Sequence, residues 1–174
     1  MILGLDVSTS ITGFCVIDTQ GEVITSDAWD MRNKRKFPTE LVKAAYIKEQ
    51  LLQLKVQYPI EKICIEKPFM FFKGGGSTAK TMATLQRFNG IVSWITCEVF
   101  DKEPSYMTAS QARKVAGVNT GRGKDAKKEA LAWLLANFPS VKVEYTTHGN
   151  PKPKYFDIAD AVVIAKAVQI KVDK

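Results

Sequence analysis

The sequence contains a single histidine, His148, and three cysteines, Cys15, Cys64 and Cys97. Each scarcity removes a class of chemistry. With one His and no neighbouring Cys, neither a zinc site nor a Ser-His-Asp relay has the residues it needs. Three widely spaced cysteines in apolar runs do not make a disulfide framework, and they fit buried thiols of a reducing compartment. No apolar run is long enough to cross a bilayer, so no membrane partner is expected. The first apolar run begins at residue 2, which leaves no room for a leader, and a cytoplasmic location is the expectation. No internal repeat or coiled coil is visible.

What is present is the composition of an ordinary globular protein. The 174 residues are 45% hydrophobic and 25% charged, enough for one domain over residues 1–174 to bury a core without staples. The formal net charge is +7 and is unevenly spread, with twelve Lys/Arg against ten Asp/Glu in residues 1–100 and thirteen against eight in 101–174. Basic clusters fall at 32–36, 122–128 and 152–154. On charge alone, a polyanionic partner and a solvated basic face are equally good readings.

The chain is organised around its first eighteen residues. The apolar run Ile2-Leu3-Gly4-Leu5 ends on Asp6, a small hydroxyl-rich turn follows, and a second apolar run covers 11–17. This pattern predicts a β-hairpin, and 22–28 predicts a third strand of an antiparallel meander. Pro38-Thr39-Glu40 opens a helix with Leu41, Ala44, Ile47, Leu51 and Leu54 on one face, ended by Tyr58-Pro59. A buried strand over 60–66 closes on Glu66, with Pro68 next. A loop of three aromatics and three glycines leads into a helix over 78–100. A short strand is expected at 104–107, helices over 109–116 and 124–138, and a strand-like stretch at 141–145. The last helix, 155–172, is apolar almost all round and therefore buried, yet its first turn carries Asp157 and Asp160 on one face. Three strands, a helix, a strand and further helices give an α/β domain with a mixed sheet.

Asp6, Glu66, Asp157 and Asp160 each end a strand or start a helix whose remainder is buried. Taken singly, each has a turn or N-cap reading. If the four converge, their mutual repulsion at neutral pH calls for protonation or a divalent cation. Oxygen-only ligands suit Mg²⁺ or Mn²⁺, and two such ions are the usual arrangement for attack on a phosphodiester.

In this order, Ile2-Leu3-Gly4-Leu5-Asp6-x-Ser8-x-x-x-Thr12-Gly13, Ile65-Glu66-x-x-Phe69 and Asp157-Ile158-Ala159-Asp160-Ala161 resemble the motifs of RuvC-type Holliday junction resolvases, of the ribonuclease H-like superfamily. Residues 107–115, followed by Gly121-Arg122-Gly123-Lys124-Asp125, resemble that family's passage from a short helix through a Gly-Arg turn into the next helix. The resemblance implies a ribonuclease H-like fold with a five-stranded mixed sheet flanked by helices. It further implies a homodimer that makes paired symmetric nicks in branched DNA, four-way junctions above all. Asp6, Glu66, Asp157 and Asp160 take the catalytic and metal-binding positions, with two Mg²⁺ (or Mn²⁺) ions per site. Phe69 falls where the family places an aromatic that wedges into the junction; the alternative is core or dimer packing. Lys73, Lys80, Arg122, Lys124, Lys127 and Lys128 are expected to follow the DNA backbone, with Lys124 and Lys127 nearest the scissile phosphate. The 78–100 helix is the candidate dimer interface. The long Lys/Pro-rich 141–154 stretch and the Phe/Gly loop look like the divergent viral or phage branch, which extends the expected location to an infected bacterial cell.

Two other protein classes share parts of this pattern. An actin-like or sugar-kinase-like ATPase also begins with an Asp-containing hairpin rich in Gly, Ser and Thr, but it needs a second phosphate hairpin, and none is seen. A non-catalytic DNA-binding protein of the same fold would have no use for four intact acids.

Overall fold

The computed structural model describes residues 1–68 and 79–172. Five strands, β1 (Ile2–Asp6), β2 (Ile11–Ile17), β3 (Val23–Asp30), β4 (Lys62–Glu66) and β5 (Ser105–Met107), form one sheet in the order β3-β2-β1-β4-β5. β2 pairs antiparallel with both β1 and β3, while β4 pairs parallel with β1 and β5 parallel with β4, as expected of a mixed sheet. Among the described residues, five helices cover it: α1 (Glu40–Gln57), α2 (Ala79–Phe100), α3 (Ala109–Ala116), α4 (Ala126–Asn137) and α5 (Lys154–Val172).

Strand parity decides what each face holds. Leu3, Leu5, Phe14, Val16, Ile63 and Ile65 point to one side, where they pack with Ile47 and Leu51 of α1 and Phe88 and Val92 of α2. Ile2, Cys15, Ile17 and Cys64 point to the other side, against α3, α4 and α5. By the same alternation Asp6 and Glu66 fall on the α5 face. Both sit at strand C-termini, at one end of the sheet.

Helix α5 lies almost on the sheet backbone, because glycines remove the side chains in its path. A Cβ on Gly4 would collide with the Ala161 carbonyl, and one on Gly13 with the backbone carbonyl of Asp157. Gly13 is also the register partner of Asp6. The close approach that seats the helix therefore also sets its acidic first turn beside β1.

Several boundaries differ from expectation. β3 runs on to Asp30, and α4 starts at Ala126, with the Asp125 carboxylate accepting from the N–H groups of Lys127 and Lys128. Leu41, expected on the packed face of α1, is 71% exposed, and the packed stripe begins at Ala44. The 141–145 stretch forms no ladder, only a single bridge between Tyr145 and Pro151. Pro151 and Pro153 lack the N–H donors that a strand pair needs. The three cysteines are free thiols, Cys15 and Cys64 buried and Cys97 half-buried.

Candidate active site

The turn that follows Asp6 is held by its own hydroxyls. Ser8 Oγ donates to the Ile11 carbonyl at 2.8 Å, and Thr12 Oγ1 donates to the Ser8 carbonyl at 3.0 Å. The Ser8 N–H returns a bond to Thr12 Oγ1 at 3.3 Å, and Lys43 Nζ of α1 donates to the Thr9 carbonyl. These hydroxyls are spent on the turn itself, so the stretch is a brace for β1 and β2 rather than an open phosphate cradle. Next to it, buried Asn89 of α2 donates from Nδ2 to the Glu66 carbonyl at 3.0 Å, fixing the end of β4.

At this end of the sheet, carboxylate oxygens of Asp6, Glu66 and Asp160 all lie within 4.8 Å of one another. Asp6 and Glu66 are half-buried, and Asp160 is buried. Burial and the neighbouring Glu66 and Asp160 push the Asp6 carboxyl well above the usual range. Burial, then Asp160, raises Glu66 to about 7, against the opposing pull of Arg113 and Lys127. Such a group favours positive charge at its centre. Three hard oxygen donors at this spacing fit a divalent cation of the Mg²⁺ or Mn²⁺ type.

Asp157 stands beside this trio rather than in it. Its carboxylate accepts from Lys127 Nζ at 3.2 Å, and the same ammonium lies 4.0 Å from Asp160 Oδ2. Burial raises Asp157, while Lys127 pulls it down. Burial works against the Lys127 charge, but Asp157, Asp6 and Asp160 together raise its pKa. Its side chain is 54% exposed, so the ammonium links the acids to solvent. The Asp125 cap fixes the first turn of α4, from which Lys127 projects.

Arg113, on α3, was not anticipated as a site residue. Its Nη2 and Nε donate to Asp160 Oδ1 at 2.6 and 3.2 Å, in a pair 11% and 4% exposed. The spacing that hid it is ordinary: an arginine on a short, mostly polar helix looks solvent-facing. Of the other cations expected near DNA, Lys124 pairs instead with Glu129 at 3.1 Å, and Lys80, Arg122 and Lys128 are exposed. Phe69 and Lys73 lie outside the described residues.

No protein-family model matches the chain. The chain is similar to the crossover junction endodeoxyribonuclease RuvC of Bacteroides fragilis, 30% identical over 165 residues, which cover 95% of this chain and 79% of the relative. It is also similar to the RuvC of Cytophaga hutchinsonii, 25% identical over 167 residues, covering 95% of this chain and 74% of that one. Among solved structures, it is similar to Thermus thermophilus RuvC in complex with a Holliday junction substrate. That match has a TM-score of 0.67 at 12% identity and covers 99% of this chain and 94% of the other. The yeast mitochondrial Holliday junction resolvase Ydc2 matches with a TM-score of 0.57 at 14% identity, covering 98% and 80%. These likenesses give the fold as ribonuclease H-like, as the sequence motifs implied.

Proposed function

Because the chain belongs to the RuvC family of crossover junction endodeoxyribonucleases, we propose that it resolves four-way DNA junctions by metal-dependent hydrolysis in the pocket of Asp6, Glu66 and Asp160. The observation that carries this assignment is the meeting of those three carboxylates within 4.8 Å, from two strands and a helix distant in sequence. A divalent cation held there would supply Lewis acidity toward a phosphoryl oxygen and lower the pKa of an attacking water. The protein's own groups do the positioning. Arg113 fixes Asp160 through Oδ1, so that Oδ2 is the oxygen left for a ligand. Lys127 neutralises the acids when no cation is bound, and its exposed amine then serves the scissile phosphate.

The finer assignment is two ions per site, Mg²⁺ or Mn²⁺, with Asp157 as the fourth carboxylate once Lys127 moves to substrate. A homodimer completes the reading, because two nicks related by a two-fold axis need two pockets so related. The exposed side of α2 is its interface. There Trp94 is 66% exposed, and across a shallow cleft Tyr106 of β5 is 48% exposed. Phe69 keeps the junction-contacting role that the motifs imply, and Lys73 the backbone contact expected of its charge.

The test is direct. Asp6→Asn, Glu66→Gln and Asp160→Asn each abolish cutting of a labelled four-way junction in Mg²⁺, while junction binding survives. A single variant that cuts at the wild-type rate would remove that acid from the pocket's chemistry. Calorimetric Mn²⁺ titration of wild type against Asp157→Asn reads the ion count, with one site lost in the variant.

A further inference from the structure

The loop between β3 and α1 leaves the sheet at the same end as the carboxylates. β3 ends at Asp30, which pairs with Ile11 at the start of β2, and the Met31 N–H donates to the Ser10 carbonyl at 2.8 Å. The loop is thus sewn to the turn that follows Asp6. In the sheet order it lies on the β3 side of Asp6, away from Glu66 on β4.

Its backbone is held in place. Met31 and Phe37 are buried at 0% and 5% exposure and anchor its two ends. Asn33 Oδ1 accepts from the N–H groups of Arg35 and Lys36 at 3.0 and 3.2 Å, and the Asn33 carbonyl accepts from the Phe37 N–H at 2.8 Å. This turn displays Arg32, Lys34, Arg35 and Lys36 outward, all exposed. Arg32 is paired with Asp30 through a two-pronged contact of 2.5 Å and 3.1 Å. Its charge also acts on Asp157. Among the described residues, Lys34, Arg35 and Lys36 form no salt bridge. Lys36 Nζ also lies 5.2 Å from the Phe37 ring centroid and 5.5 Å from that of Tyr46. The ordered turn thus presents Lys34 and Arg35 without a charged partner, and Lys36 steadied on two rings, close to an acidic pocket, where an external anion would find all three.

We propose that Lys34, Arg35 and Lys36 form a second backbone-binding strip, gripping phosphates of the DNA arm that leaves the pocket on the β3 side. Two strand spacings separate β3 from β1, about 10 Å, which corresponds to roughly three nucleotides of rise along one strand. The strip therefore meets phosphates about three nucleotides from the scissile bond. It sets affinity and the path of the arm without reading bases. The inference rests on the nuclease reading above, because it takes the carboxylate pocket as the place of cutting.

The experiment measures binding of the full chain to a fluorescent four-way junction by anisotropy in EDTA, over a series of KCl concentrations. Lys34→Ala/Arg35→Ala is compared with Lys62→Ala/Lys171→Ala, a charge-matched pair at the start of β4 and the end of α5, remote from the pocket. The expected result is a log–log salt slope about two lower in magnitude than wild type for the loop pair, near 0.9 per lost phosphate contact, with the remote pair keeping the wild-type slope. Equal slopes for the two double variants would show that only overall charge matters and would overturn the strip. Wild-type cutting of the same junction in Mg²⁺ is scored alongside. If wild type cuts but the loop pair keeps its slope, the strip alone falls; if wild type neither binds nor cuts, the nuclease reading falls with it.

Discussion

Asp160 keeps its place in the interior because Arg113 donates two N–H bonds to one of its oxygens. Removing one partner of such a pair strands the other charge in a medium that solvates it poorly. Arg113→Ala is therefore expected to lose roughly 3–5 kcal/mol in urea unfolding, and adding Asp160→Asn to it recovers part of that loss. Glu66 supplies a second test. Its carboxyl is raised from 4.5 to about 7, by burial first and by Asp160 next, so the folded chain holds that proton more tightly than the unfolded chain does. The resulting stability is complete below about pH 4.5 and is lost as pH rises through about 7, amounting to roughly 3 kcal/mol. In EDTA, the wild-type Tm should fall between pH 5 and pH 8, and that of Glu66→Gln should fall less. Added Mg²⁺ should raise Tm most at the alkaline end, where the carboxylates are free to bind it. At this scale the acids were legible only as a set: each alone has a turn or N-cap reading, and it is their order and shared setting at the ends of buried elements that marks them. Arg113 and Asn89 were not. An arginine on a polar helix and an Asn-Gly pair both have commonplace readings, and only the fold shows that one reaches Asp160 and the other the end of β4.

Among the elements, α5 carries the most information. Its all-round apolar sequence marked it as buried, and the spacing of Asp157 and Asp160 put both on one face. The sequence did not announce how close it comes to β1 and β2, because a glycine in a strand has several uses. The structure gives Gly13 one: it makes room for the Asp157 carbonyl. Gly13→Ala should leave the far-ultraviolet circular dichroism close to wild type yet slow junction cutting on the order of a hundredfold, the cost of misplacing a reacting group by about 1 Å. A Cβ on Gly90, by contrast, meets nothing within 4 Å in this chain, so Gly90→Ala should leave the fold of the single chain unchanged by circular dichroism. The 141–145 stretch failed as a strand for the complementary reason. Its hydrophobic alternation is real, but the neighbouring prolines cannot supply the donors that a ladder needs.

For the whole molecule, the uneven +7 charge has a spatial counterpart, with cations from the 32–36 loop and the start of α4 both near the carboxylate end of the sheet. The proposed pairing of two copies through α2 makes its own prediction. Trp94→Glu should shift the protein from dimer to monomer by light scattering, and should convert paired incision of a junction into single, unlinked nicks. A dimer that survives the substitution would move the interface elsewhere.

The two glycines that let α5 rest on bare backbone have a consequence for how such a protein can change. The acidic pocket is cast in strand and helix, while the exposed cations Lys34, Arg35, Lys36 and Arg122 sit on turns. Surface turns can therefore be lengthened, recharged or exchanged by an engineer, or by selection, to favour another branched substrate, with the cutting machinery left in register.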